Sequence, residues 1–255
     1  MAEPIVRRAL VTGANRGLGL EFVRQLLARG DRVIATCRQP AQAHDLATLS
    51  DQDSKTAQPE PAEGRGVAGR HAKRLHVFAA DIANANSVAM LARDTGAVFD
   101  GLDLLINNAG MLVPGEKFGS VNPESLRSSL ATNAIGPFLL TQALAPLLAK
   151  GDRAIVANIS SQLGSIARTD SFYTPSYAIS KAAQNMASVL LAHALAEQGV
   201  RVLALHPGWV HTDMGGERAP VSPAESVRGL LDVIDQADTG RSARFLDYQG
   251  QPLPW

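Results

Sequence analysis

The amino-acid sequence predicts an α/β protein with one open, doubly wound parallel sheet of about seven strands and helices on both faces. Short β-rich runs alternate with longer helical patterns along all 255 residues. Such alternation, with right-handed crossovers, produces this kind of sheet. Several runs are apolar without alternation, as parallel strands covered on both faces are. No internal repeat or second core is evident, so residues 1–255 are predicted to form a single domain.

The β-rich runs predict strands at 9–11, 32–36, 76–79, 102–107, 154–159, 201–205 and 243–246. Helical patterns lie near 18–29, 85–95, 123–150, 175–198 and 223–236. Pro175 suits the first turn of its helix, where a missing N–H costs nothing, and Thr174 is placed to cap that helix. The helix therefore begins just before Tyr177.

The segment from Ser50 to Lys73 departs from this rhythm. It is polar and rich in Gly, Pro, Gln and charged residues, so little apolar area is available to offset the entropy lost on ordering it. We expect neither strand nor helix there and predict a mobile surface insertion at about 50–73. It is either a tolerated loop or a partner-binding segment.

Composition and charge restrict the classes of function. The 24 Lys+Arg residues balance 24 Asp+Glu residues, so no global field favours a nucleic-acid or membrane partner. No stretch is long and apolar enough for a membrane span or a signal peptide. Cys37 is the lone cysteine; it excludes an intrachain disulfide framework and fits a reducing compartment. We therefore expect a cytoplasmic protein.

A glycine-rich turn follows the first strand and opens the first helix. It runs through Thr12, Gly13, Ala14, Asn15, Arg16, Gly17, Leu18 and Gly19. Glycines allow a tight turn and close approach of a pyrophosphate, and the helix N-terminus supplies oriented N–H donors. In this position the pattern predicts a Rossmann-type dinucleotide site; the alternative is an ordinary turn.

The residues after the second strand predict which dinucleotide binds. Sites that select NAD place an acid there to accept from the ribose 2′-hydroxyl. Here the strand ends in Cys37-Arg38-Gln39, without an acid. Arg38 would instead grip a 2′-phosphate through a forked contact, with Arg16 over the same phosphate. We predict NADP(H), with NAD(H) as the less favoured cofactor; the alternative for Arg38 is a solvated surface charge.

Tyr177 and Lys181 stand one helical turn apart, so a phenol and an ammonium share a helix face. A cation beside a phenol favours the phenolate and lowers a pKa that is ordinarily near 10. Together with a dinucleotide site, this pair predicts hydride transfer between a nicotinamide and a carbonyl or alcohol substrate. Tyr177 would be the general acid for reduction and the general base for oxidation.

These motifs together resemble the short-chain dehydrogenase/reductase family over nearly the whole chain. The matching segments are the turn from Thr12 to Gly19, Asn107-Asn108-Ala109-Gly110, Tyr177 to Lys181, and His206 to Thr212. Finer features of the glycine turn, of 208–216 and of 247–255 resemble the C-factor-like and sniffer-like branch near carbonyl reductases. Because His206 and His211 have no accompanying carboxylate or cysteine set, no metal site is predicted.

The resemblance implies further cofactor contacts. It places Asp81 and Ile82 at the adenine and Asn107, Asn108 and Ala109 under the adenosine ribose, and it makes Gly110 a further cofactor contact. The segment after the sixth strand would border the nicotinamide through Pro207, Gly208 and Thr212, with Val210 as a further cofactor contact. Lys181 would also bind the nicotinamide ribose.

The resemblance also completes a catalytic set of Asn133, Ser161, Tyr177 and Lys181. Ser160 and Ser161 end the fifth strand, where a parallel sheet presents its ligand crevice; the second is taken as catalytic and the first as structural. Asn133 would bend its helix and hold a water that links Lys181 to solvent. The alternative for Asn133 is a residue on the helix surface.

Two other functions compete with an oxidoreductase. One is a cofactor-binding regulatory or signalling protein, suggested by the C-factor resemblance. The other is an epimerase or dehydratase on a nucleotide sugar, disfavoured because only about 210–222 separates the sixth strand from the next helix. The expected partner is a small carbonyl or alcohol compound, and the helices at 123–150 and 175–198 suggest a homodimer.

Overall fold

The computed structural model describes residues 6–56, 73–237 and 243–255. In these residues seven parallel strands form one sheet in the order β3-β2-β1-β4-β5-β6-β7. The strands are β1 Arg8–Thr12, β2 Arg32–Cys37, β3 Leu75–Ala79, β4 Leu104–Asn107, β5 Ile155–Ile159, β6 Arg201–His206 and β7 Arg244–Asp247. The predicted doubly wound sheet and its seven strands are confirmed.

Helices cover both faces of the sheet. They are α1 Gly17–Ala28, α2 His44–Thr56, α3 Ala85–Val98, α4 Pro123–Leu130, α5 Gly136–Leu148, α6 Pro175–Ala194 and α7 Pro223–Gln236. The helix predicted over 123–150 is divided, because a π-helical turn at Ala131–Ile135 separates α4 from α5. Among the described residues, no helix is both long and apolar enough to cross a bilayer.

Helix α2 corrects the prediction that 50–73 contains no helix, since its last turns run to Thr56. The sequence pattern did not reveal what Asp53 does. Its buried carboxylate accepts hydrogen bonds from the main-chain N–H groups of Arg74 and Leu75 and pairs with the Arg74 guanidinium at 2.8 Å. This contact ties the helix to the start of β3 and compensates for its small apolar area. The rest of the predicted insertion, 57–72, lies outside the described residues.

Alternate residues of the buried strands face opposite helical layers. In β1, Ala9 and Val11 pack with α1 and α7, whereas Leu10 packs with α3, α5 and α6. All three side chains are fully buried, which explains why the strand sequence shows no polar alternation. Strand order reverses between β1 and β4, so the crevice at their carboxyl ends is the place where such sheets bind ligands.

Candidate active site

A cavity of about 590 Å³ opens at the carboxyl edge of the sheet. It brings together most of the residues predicted to bind a cofactor. Those on its wall are Gly13, Asn15, Arg16, Gly17, Leu18, Gly19, Arg38, Asp81, Ile82, Asn108, Ala109, Gly110, Tyr177, Lys181, Pro207 and Thr212. The cavity therefore runs continuously from the glycine turn to the start of α6.

Other predicted site residues are not part of the cavity lining; they are Thr12, Asn107, Asn133, Ser161, Gly208 and Val210. Thr12 Oγ1 accepts from the main-chain N–H groups of Asn108 and Ala109, 3.0 Å each. Asn107 is buried within the sheet, where its amide donates to Asn158 at 2.8 Å. Thr12 and Asn107 therefore support the glycine turn and the segment after β4, which together form a cradle, and neither lines the cavity. For Asn107 this differs from the predicted contact with the ribose.

Two glycines of the turn are required by close backbone contact. Gly13 has φ +65°, and a Cβ on it would lie 2.8 Å from the Ala109 Cα. A Cβ on Gly19 would lie 2.1 Å from the Gly13 carbonyl oxygen. Both distances are shorter than real Cβ contacts allow, so a side chain at either position would force the turn and the segment after β4 apart.

The first turn of α1 fits an anionic ligand. Arg16, the residue before the helix, makes no side-chain cap, and the first turn contains no acidic residue. Its N–H groups are therefore open to a phosphate, which the helix dipole also favours. Exposed Arg38 stands just after β2 on the same cavity wall. Arg16 forms a 2.5 Å ion pair with Asp213, which lines the cavity from the segment after β6.

Tyr177 and Lys181 lie in the first turns of α6 and both line the cavity. The Lys181 ammonium lies 5.6 Å from the centre of the Tyr177 ring. Burial raises the pKa of Tyr177 to about 12, and a hydrogen bond with Ser161 offsets part of the rise. Burial also lowers the pKa of Lys181 to about 7. The pKa of Tyr177 therefore lies above its ordinary value, opposite to the direction expected from a neighbouring Lys181, because desolvation by burial is its largest determinant.

The two serines after β5 have different partners. The Ser160 hydroxyl is buried and donates to Asn185 of α6 at 2.6 Å. The Ser161 hydroxyl interacts with the Tyr177 phenol and accepts from the Leu163 main-chain N–H at 3.2 Å. This placement favours Ser161 as the residue beside the reacting oxygen and gives Ser160 a structural part.

Asn133 lies fully buried in the π-helical turn between α4 and α5. Its side-chain oxygen accepts from the Met111 N–H at 2.8 Å, and its amide donates to the Met111 carbonyl and to Ser180 Oγ, 2.9 Å each. π-Helical turns occur frequently at functional sites. Here the turn directs Asn133 inward, so the alternative of a surface asparagine is excluded.

Helix α6 is capped by a residue that the sequence pattern did not identify. Thr174 makes no side-chain cap and has φ +41°, a strained conformation for a β-branched residue. Glu116, from the loop after β4, accepts instead from the Ser176 N–H at 3.1 Å and from the Ser176 hydroxyl at 2.5 Å. A carboxylate at a helix N-terminus is favoured by the helix dipole. Only the tertiary fold brings Glu116 there, 60 residues before its partner.

Exposed aromatic side chains stand on the loop after β4, the loop before α6 and the segment after β6. Phe118 and Phe172 meet edge to face with ring centres 5.6 Å apart, joining the loop after β4 to the loop before α6. Tyr173 and Trp209 are also exposed. Among the described residues, no group of three or more His, Cys, Asp or Glu is arranged to hold a metal ion.

Comparisons with known proteins agree with this geometry. A family model described as short chain dehydrogenase matches residues 7–221. The chain is 33% identical to the 1-hydroxy-2-glutathionyl-2-methyl-3-butene dehydrogenase of Rhodococcus sp. (strain AD45) over 250 residues, 96% of this chain and 98% of that protein. It is 40% identical to the C-signal of Myxococcus xanthus over 166 residues, 65% of this chain and all of that protein.

Solved structures give the same result. The NADPH-bound carbonyl reductase from chicken fatty liver superposes with a TM-score of 0.86 at 34% identity, over 98% of this chain and 99% of that one. The carbonyl reductase Sniffer of D. melanogaster superposes with a TM-score of 0.87 at 31% identity, over 98% of this chain and all of that one. The chain therefore belongs to the short-chain dehydrogenase/reductase family of oxidoreductases.

Proposed function

We propose that this protein is an NADP(H)-dependent oxidoreductase that transfers a hydride between the nicotinamide and a carbonyl or alcohol substrate. The observation that carries the proposal is the single cavity joining a dinucleotide cradle to Tyr177 and Lys181. The carbonyl reductases among the similar structures support the substrate class. The bound cofactor would supply or accept the hydride.

The cradle residues fit NADP(H) better than NAD(H). The glycine turn leaves room for a pyrophosphate, and the uncapped first turn of α1 offers N–H donors to it. Arg38 follows β2 at the position where an acid would otherwise accept from the ribose 2′-hydroxyl. Arg38 would bind the 2′-phosphate together with Arg16, which lines the same cavity.

On the substrate side, Tyr177 would hold and donate the proton. A phenol with a pKa near 12 is protonated at neutral pH, which suits an acid in carbonyl reduction. Ser161 would hold the substrate oxygen against that phenol. Lys181, with a pKa near 7, exchanges a proton readily at neutral pH and would return one to Tyr177 after turnover. Asn133 would hold the turn that supports this group.

The test is NADPH oxidation, followed by absorbance, with a panel of aldehydes, ketones and quinones. We expect turnover with some of these, and Tyr177→Phe to lower kcat by about 100- to 10,000-fold, since it removes the proton donor. The variant should still bind NADPH, measured as quenching of the protein's fluorescence during titration with the cofactor. Absence of turnover across the whole panel would contradict the proposal.

Cofactor choice is tested separately with Arg38→Ala. We expect its KM for NADPH to rise about 10- to 100-fold through loss of a charge-assisted phosphate contact. The KM for NADH should change little, because NADH has no 2′-phosphate. Equal or better use of NADH by the unmodified protein would contradict the NADP(H) assignment.

Helix α6 also supports a homodimer. Ile179, Met186 and Leu190 are 49%, 60% and 54% exposed, and their spacing places them on one helix face. Ile135, in the π-helical turn between α4 and α5, is 53% exposed. We expect light scattering to give twice the chain mass, and Leu190→Glu to give a monomer. Met90→Glu, which changes an exposed residue of α3, is the matched control. A monomeric unmodified protein would contradict the proposal.

The identity shared with C-signal supports a second candidate, a cofactor-binding regulatory protein with little or no turnover. This candidate predicts that NADPH raises the thermal unfolding temperature while no carbonyl in the panel is reduced. The oxidoreductase predicts both effects. Reduction of any carbonyl by the unmodified protein, lost in Tyr177→Phe, therefore separates the two candidates.

A further inference from the structure

Gln184 is a buried polar residue that none of the roles above explains. It lies on α6, one turn after Lys181, and its side chain has no exposed surface. Its Oε1 accepts a 2.9 Å hydrogen bond from the Lys181 ammonium. Its Nε2 has no hydrogen-bond partner among the described residues. A buried amide with an unsatisfied donor costs stability, and an apolar side chain would fill the site without that cost.

The partners of Lys181 indicate what the amide does. The ammonium has three N–H donors and no acceptor. One donor goes to the Ile159 carbonyl at 2.7 Å and one to Gln184 Oε1. Both partners are fixed acceptors, one on a central strand and one on the same helix. A neutral lysine amine has two N–H groups, so it can keep both contacts after losing its third proton.

We propose that Gln184 is a positioning residue: with the Ile159 carbonyl it holds two protons of Lys181, so that the third is the one exchanged with the cavity. Lys181 then gains or loses this proton without breaking either contact. When Lys181 loses this proton, the side of its nitrogen that faces the cavity changes from hydrogen-bond donor to acceptor. This inference deepens the proposed function, since it assigns the proton path of the same site.

The surroundings of Lys181 allow Gln184 to have this effect. Lys181 contacts β5, the 3₁₀ turn Gln162–Gly164 and the segment Asn108–Gly110, and Asn133 of the π-helical turn lies against the same Gly110. None of these contributes a titratable side chain. Tyr177, on its own helix, is the titratable neighbour, 5.6 Å away at its ring centre. The Oε1 atom of Gln184 therefore influences the protonation of Lys181 without a competing charge on these elements.

The experiment compares Gln184→Met, which keeps the length of the side chain without its polar atoms, with Gln184→Glu, which adds a charge. The Lys181 titration is followed in the cofactor-free protein by the ¹³Cε signal of labelled lysine, assigned through Lys181→Arg. An acceptor stabilises the charged form, so we expect the midpoint to fall by about one pH unit in Gln184→Met and to rise in Gln184→Glu. Ser188→Ala, one turn further along α6, is the control for buried hydrogen-bond loss and should leave the midpoint unchanged.

A second readout is the pH dependence of kcat with NADPH. We expect its alkaline limb to move down in Gln184→Met and up in Gln184→Glu, with the KM for NADPH changing less than threefold. Equal midpoints in all three proteins, or shifts of both variants in one direction, would overturn the role of Gln184. Opposite midpoint shifts without any turnover would instead retain that role and reject the oxidoreductase. Thermal unfolding of each variant confirms that it is folded.

Discussion

The part of the cavity around the glycine turn, the proposed nucleotide side, is held together mainly by main chain. The part around Tyr177, the proposed substrate side, is held by contacts between side chains. On the nucleotide side, Gly13 and Gly19 pack directly against backbone, and Thr12 and Asn108 hydrogen-bond to backbone. On the substrate side, Glu116 reaches Ser176 from another loop, and Phe118 meets Phe172. Backbone contacts leave little freedom, so the cofactor cradle is the more rigid half and the substrate loops are the part that substitutions can retune.

The largest effect is expected for Gly19→Ala, which disrupts the main-chain contacts around the glycine turn. Its Cβ would lie 2.1 Å from the Gly13 carbonyl oxygen and 2.5 Å from the Asn108 amide nitrogen. We expect about 3 kcal/mol of destabilisation and loss of measurable NADPH binding, by urea unfolding and by fluorescence titration. The control is Gly96→Ala, whose Cβ would make an ordinary contact 3.8 Å from Leu147; helix propensity predicts a slight gain in stability there. Equal stabilities for the two variants would contradict this account.

The next effect concerns His206, which ends β6 beside the substrate side. Burial lowers its pKa from 6.5 to about 4, while Asp247 acts to raise it and Arg168 to lower it. The unfolded histidine binds a proton near pH 6.5 and the folded one only near pH 4, so stability falls as pH drops through that window. From pH 7 to pH 5 this residue should cost about 2 kcal/mol. Urea unfolding at both values should show a smaller loss in His206→Gln; an equal loss would contradict the assignment.

A smaller effect on stability and kcat is expected when Glu116 is removed from the part of the cavity around Tyr177. Glu116→Ala leaves the first turn of α6 without its carboxylate cap, which should cost about 1 kcal/mol of stability. Because Tyr177 is the next residue after Ser176, we expect kcat to fall several-fold with little change in the KM for NADPH. Glu124→Ala, on an exposed helix turn, is the matched control. A rise in the KM for NADPH without a change in kcat would contradict a role confined to the substrate side.

The smallest effect is expected where the two sides meet, at the ion pair of Arg16 with Asp213. Both side chains are more than two-thirds exposed, so the pair contributes about 0.5 kcal/mol. Asp213→Asn frees Arg16 for the 2′-phosphate, and we expect the Kd for NADPH to fall about two- to threefold. The Kd for NADH should not change. As a control, Asp94→Asn, at an exposed position of α3, should change neither the Kd for NADPH nor the Kd for NADH. Weaker NADPH binding by Asp213→Asn would contradict competition for Arg16.

Prediction from sequence succeeded where the determinants are local. The seven strands follow from short apolar runs, and the glycine turn follows from the spacing of Gly13, Gly17 and Gly19. It did not succeed where distant residues meet. The last turns of helix α2 are not evident from local sequence because Asp53 finds its partner Arg74 21 residues further along the chain. The cap on α6 is not evident because Glu116 is remote in sequence. The pKa of Tyr177 was given the wrong direction because the degree of burial is a property of the packed structure.

The sequence by itself determined the order of strands and helices, the place of the glycine turn and the position of Tyr177 and Lys181 on one helix. These depend on backbone conformation and on periods of two and 3.6 residues, which neighbouring residues set. Tertiary structure alone decided that Asn107 faces the interior, that Glu116 caps α6 and that Gln184 holds Lys181. Those outcomes depend on which side chains desolvate one another, and desolvation is fixed only when separate segments pack together.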